Sequence, residues 1–141
     1  MTSKEFLSMH HNLDVKIDSR IREVSHLREM SLRLSSPTFE EKVSGGQQTD
    51  APFVRLIDKV VDLEREIDSE IDTLVSVHND IRNAIESVED PRQQAVLNYR
   101  YLQNMKWQEI ANALFADRTS VYRWHKQALE QIKIPKFYAN P

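Results

Sequence analysis

Residues 90–132 read DPRQQAVLNYRYLQNMKWQEIANALFADRTSVYRWHKQALEQI, and three short helices joined by two tight turns can be laid on them. Asp90 followed by Pro91 supplies a side-chain oxygen for free backbone amides and a ring that presets the first helical φ, which predicts a helix from Pro91 to about Gln103. Its apolar face is Ala95, Val96, Tyr99 and Leu102. A turn at Asn104–Lys106 leads to a helix from Trp107 to Leu114, and a turn at Phe115–Asp117 leads to one from Arg118 to Ile132. Ala111 is small enough for two helices to touch there, and Ile110, Leu114, Ala116, Val121 and Trp124 supply the buried side. Asp117 stands where it can cap the last helix, and Pro135 ends helical structure, leaving residues 133–141 as a tail.

Outward from this stretch, the chain is helical in a different style. From Phe53 to Val88, apolar residues fall at alternating steps of four and three: Phe53, Ile57, Val60, then Ile67, Ile71, Leu74, then Ile81, Ile85 and Val88. Glu64 and His78 take the two polar places in this heptad seam. Leu63 and Val61 stand ready to fill in beside Glu64, and His78 reads as a partly exposed seam residue. At 1.5 Å per residue the helix is about 54 Å long, so it needs a partner along its length. That partner is either the first helix, folded back as a hairpin, or a second copy of the chain. The first helix is expected over residues 3–34, capped by Ser3, with Phe6, Leu13, Ile17, Ile21, Val24, Leu27 and Leu34 on one stripe. Between the two, Pro37, Gly45, Gly46 and Pro52 mark residues 35–52 as a flexible loop. The expected architecture is all-α: a long antiparallel coiled-coil hairpin over 1–89, a three-helix domain over 90–132, and the tail.

Charge divides the chain at the same place. Residues 1–89 carry 11 basic and 18 acidic side chains, and residues 90–141 carry 8 and 4, so the net charge of −3 conceals a basic C-terminal end. A polyanion partner is expected there. The absence of cysteine excludes disulfides, thiolate-bound zinc and a cysteine nucleophile. Two glycines, both in the loop, cannot make a phosphate-binding glycine-rich loop. No apolar run approaches the roughly 20 residues of a membrane span, and the N-terminus lacks a signal peptide's apolar core, so the expected location is the cytoplasm.

Glu109-Ile110-Ala111, Leu114, Thr119, Val121, Tyr122-Arg123 and Ala128-Leu129 together resemble the helix-turn-helix of sigma-factor region 4, over about residues 91–132. Joined to the long helices, including KEFLSMHHNLDVKIDSRIREVSHLRE and VDLEREIDSEIDTLV, the whole is similar to phage late-transcription regulators of the ArpU and RinA type. The resemblance implies sequence-specific binding of double-stranded DNA and activation of late phage or prophage genes in the bacterial host cytoplasm. On the outer face of the last helix, Arg118, Thr119, Ser120, Tyr122, Arg123 and Lys126 are the candidate DNA contacts. RNA polymerase is a second candidate partner. The seam residues Ile57, Val60, Ile67, Ile71, Leu74, His78, Ile81 and Ile85 are the candidate surface for a homodimer or higher homo-oligomer. Phe115 departs from the pattern, because glycine commonly occupies that turn. Either the turn takes another geometry or Phe115 plugs the core.

No catalytic residue, metal site or cofactor is expected. His10 and Asp14 lie one turn apart, but two ligands on a solvent-facing turn make a poor metal site, and His10 with His11 reads as an exposed pair. His125 reads as a phosphate contact or an ordinary surface residue. Two other functions stay open: a DNA-packaging adaptor of the small-terminase kind, and a module that captures a sigma factor or repressor.

Overall fold

The computed structural model describes residues 1–34 and 47–139, with backbone alone at 47–50 and 139. The protein is all-α. The helices are α1 (Ser3–Leu34), α2 (Gln47–Glu86), α3 (Pro91–Leu97), α4 (Trp107–Ala113), α5 (Arg118–Gln131) and α6 (Lys136–Ala139). They divide into two compact units, one of Met1–Asp14 with Thr73–Pro141 and the other of Val15–Asp72.

In the Val15–Asp72 unit, the buried residues are Ile17, Val24 and Ser31 of α1 and Val60, Leu63 and Ile67 of α2. The helices pair within the chain, because Arg20 bonds Glu66 at 2.6 Å and Glu70 at 2.5 Å while Arg28 bonds Glu64. As the α1 number rises the α2 number falls, so the pairing is antiparallel. Glu64 turns toward Arg28 and Leu63 is buried in its stead. Ser31 takes an apolar place by returning its hydroxyl to the Arg28 carbonyl at 2.7 Å, which satisfies its polar group without water.

The first boundary of α2 differs from the sequence expectation. The helix begins at Gln47 and runs through Pro52, so residues 47–52 are helical and not loop. So near the helix start, proline's missing N–H removes a single intrahelical bond, a smaller cost than a proline exacts in mid-helix. The remainder of the expected loop, 35–46, lies outside the described residues. At α1, the cap is Thr2 and not Ser3: the Glu5 N–H donates to the Thr2 hydroxyl at 3.1 Å.

The other unit has two apolar clusters that share α3. Leu97 and Tyr101 face a cluster with Phe6, Leu7, Val77, Ile81, Ile85, Val88, Ala128 and Ile132. Val96 faces the second, with Ile110, Ala111 and Val121, against which Leu114, Ala116 and Trp124 pack. A helix that sends consecutive residues, Val96 and Leu97, into two different clusters is tied to the neighbours that build each of them. Its last turn, Asn98–Leu102, widens into a π-helical turn, and Asn104 then takes φ 55°, a left-handed conformation that asparagine tolerates.

The tail expectation is corrected. Lys136–Ala139 form one further helical turn, and Tyr138 folds back on α1 and α2. Its hydroxyl donates to Asp80 at 2.5 Å and its ring meets Phe6 at 5.0 Å. Burial and the Asp80 carboxylate push the phenol up to about 12.

Candidate nucleic-acid interface

The outer face of α5 is presented by three devices. At its start, the Asp117 carboxylate accepts from the Ser120 N–H at 2.8 Å, which satisfies a free backbone donor. That hydrogen-bonding with Ser120, and to a lesser degree Arg123, holds the Asp117 carboxyl below its usual range. Beneath, Val121 and Ala128 are wholly buried, one in each cluster, so the helix is pinned at two points on one side. At its flank, the Trp107 ring meets Tyr122 edge-on at 5.2 Å and His125 at 4.8 Å.

What remains outward is the set expected from sequence. Arg118, Thr119, Arg123 and Lys126 are exposed, and Tyr122 is 44% exposed with one ring edge on Trp107. Ser120 is half-buried, its N–H already committed to Asp117. Arg118, Arg123 and Lys126 thus place three cations on one short helix. Such a surface suits a polyanion, although three cations neutralise few phosphates.

The turn before α5 settles one open expectation. Phe115 takes φ 52°, the left-handed region glycine would occupy, and its side chain is 98% exposed. It is therefore not a plug. The turn keeps the usual geometry at a backbone cost of about 1–2 kcal/mol, and no packing offsets it.

His125 is not an ordinary surface residue, because it is half-buried against Tyr101 and Trp107. Its Nε2 lies 2.7 Å from the Tyr101 hydroxyl, the two rings stack, and Trp107 closes one edge. Burial, then the charges of Lys4 and Arg100, lower its pKa to about 4. Sequence reasoning missed this because the i, i+4 and i, i+7 relations of α5 (Val121, His125, Ala128) place residue 125 beside the buried face. That signal was available and was outweighed by the polarity of histidine.

His10 also turns inward. Its Nε2 sits 3.1 Å from Nδ1 of His78, and burial together with the facing imidazole lowers its pKa. Its exposed-pair reading is corrected, while His11 is exposed as expected. Among the described residues, no group of three or more histidine, cysteine, aspartate or glutamate side chains could hold a metal.

The seam residues are largely taken up within the chain itself. Val60, Ile67, Ile81 and Ile85 are buried in it, and Ile57, Leu74 and His78 are half-buried. Ile71 alone of the eight is exposed, at 40%. Among the described residues, no helix is long and apolar enough to cross a membrane.

The fold thus defines a class: an all-α protein whose last helices include two joined by a tight turn, the second with a free polar face. The chain belongs to the family described as "Protein of unknown function (DUF1492)", whose model matches residues 33–133. No curated protein and no solved structure matches it.

Proposed function

We propose that this protein is a sequence-specific binder of double-stranded DNA that regulates transcription of phage or prophage genes. It acts without catalysis, in the cytoplasm of the bacterial host. The N-terminal turns of α5 enter the major groove. Arg118, Thr119 and Ser120 meet backbone and base edges there, and Tyr122, Arg123 and Lys126 extend the contact along the helix. One observation carries the reading: α5 is pinned by Val121 and Ala128 on one side while Arg118, Thr119, Arg123 and Lys126 stay open on the other. The likeness of residues 91–132 to sigma-factor region 4, and of the whole chain to ArpU- and RinA-type regulators, supports the same direction. RNA polymerase is the protein partner this reading favours. Self-association would use the outward apolar residues Val54, Val61, Ile71 and Val75 of α2, since most of the inward seam is already filled.

Replacing Arg123 with alanine should weaken binding to a cognate duplex by about 1–3 kcal/mol, roughly 5- to 150-fold, with helical content unchanged. A mobility-shift titration reads the effect, and unaltered affinity would count against the assignment. A second reading is favoured by Phe115. A fully exposed aromatic ring in a strained turn beside α5 suits a module that captures a protein such as a sigma factor or repressor. That module would show no salt-dependent affinity for any duplex.

A further inference from the structure

A cleft of about 350 Å³ opens where the start of α1 meets the π-helical turn and the start of α4, all within one unit. Lys4, His11, Asn12, Arg100, Asn104 and Trp107 line it, and no acidic side chain does. Arg100 is held in place on two sides: its Nη1 donates to the Met105 carbonyl at 3.0 Å, and its guanidinium lies over the Trp107 ring at 4.5 Å. Only one of its five donors is used in this way, so the fixed fork keeps others for a ligand. Among the described residues, neither Arg100 nor Lys4 has a carboxylate partner within ion-pair distance. A preorganised guanidinium, an ammonium and two carboxamides without a counter-charge suit a group with several anionic oxygens.

The geometry points to this cleft as a second phosphate contact, which takes a backbone phosphate of the duplex whose groove receives α5. The inference rests on the reading of α5 given above. What joins the two is Trp107, which forms a wall of the cleft on one side and meets Tyr122 of the exposed face at 5.2 Å on the other. The contact carries no sequence information. It fixes the register of α5 on the duplex and adds the cations that α5 lacks. It also gives the start of α1 a role in binding, although α1 lies within residues 1–89, where acidic side chains outnumber basic ones.

Lys4→Gln is the deciding variant, because Lys4 is exposed and its loss leaves the core untouched. Affinity of the full chain is measured by fluorescence anisotropy over a range of salt, on a cognate duplex and on a scrambled one. Lys4→Gln should lower affinity by about 3- to 10-fold on both duplexes alike and reduce the slope of log K against log salt by about 0.9. Arg100→Gln should do the same and Arg100→Lys should restore most of the slope, with circular dichroism checking the fold. An unchanged slope for Lys4→Gln, while Arg123→Ala still weakens binding, overturns the cleft assignment and leaves α5 standing. No salt-dependent duplex binding by the wild type overturns both. Saturable binding of inorganic phosphate alone, read on the Trp107 indole resonance, with the duplex slope indifferent to Lys4, assigns the cleft to a free phosphate and also overturns the proposal.

Discussion

In the unit that ends the chain, Phe6, Leu7, Ile81, Leu97, Ile110 and Val121 are fully or almost fully removed from water, whereas in the Val15–Asp72 unit the best-buried side chains, Val60 and Leu63, retain 3% exposure. The first has two apolar clusters sharing one helix. The second has a single seam between two helices, flanked by Arg20 with Glu66 and Glu70 and by Arg28 with Glu64. The Arg28–Glu64 pair is largely exposed and contributes about 0–1 kcal/mol, whereas Arg20 and Glu70 are half-buried. The strong periodicity of α2 runs through both units: Ile57–Ile71 make the seam, whereas Ile81, Ile85 and Val88 enter the deeper core, where the rest of the apolar lining follows no single repeat. Burial from several directions needs contacts that no single period can display.

The largest effect should separate the two cores. Leu97→Ala removes a side chain enclosed by α1, α2 and α5 and should cost about 2–5 kcal/mol, with Leu63→Ala near the low end of that range because its seam can close up or hydrate. Urea titrations measure both, and hydrogen exchange should show Leu63→Ala loosening α2 amides near 60–70 while α5 stays protected. A larger loss from Leu63→Ala, or loosening of α5 by it, would undo the contrast.

Acid should weaken the first unit through its two inward histidines. His125 has its pKa lowered to about 4 and His10 is also lowered, each chiefly by burial, so both are neutral in the folded protein at pH 7. The unfolded chain binds protons near the ordinary value of about 6.5. Between that pH and about 4 the unfolded state holds more protons at His125, so the stability this group contributes is present above 6.5 and lost as pH falls toward 4, and His10 acts in the same direction. His125→Phe should flatten that stretch of the pH–stability curve. An identical slope in the variant would show that the Tyr101–His125 contact does not form in solution.

The smallest effect concerns the turn before α5. Phe115→Gly relieves left-handed strain of about 1–2 kcal/mol and gives back part of it through a more flexible unfolded chain, so it should stabilise by about 1 kcal/mol or less. Thermal unfolding would show a rise of a few degrees, and a fall would mean that the ring has a folded-state contact. A gain in stability coupled to loss of a protein partner would favour the capture reading.

Much of this was legible in particular residues. Asp90-Pro91 and Asp117 announced two helix starts, and Ile110, Ala111 and Val121 announced the packing beneath α5. Of the two residues expected to fill in beside Glu64, Leu63 is buried, whereas Val61 is 41% exposed and does not fill in. Less was legible where distant segments decide. Leu7 and Leu97 fell outside the expected apolar stripes because each faces a cluster assembled from several helices. Tyr138 docks on Asp80 and Phe6 from a four-residue turn too short to show any period. The π-helical turn at Asn98–Leu102 has no pattern of its own, and with it went the Arg100–Trp107 stack that shapes the cleft. Pro52 was overread as a breaker where its position in the helix makes it tolerable.

The central proposal is that the free face of α5 reads sequence in duplex DNA, and selection of bound fragments from a pool of random duplexes tests it most directly. The wild-type chain should enrich a shared short motif, and a double variant of Arg118 and Arg123 to alanine, folded as before, should enrich none. A pool that stays random after repeated rounds with the wild type, or a motif recovered equally well by the double variant, would contradict the account.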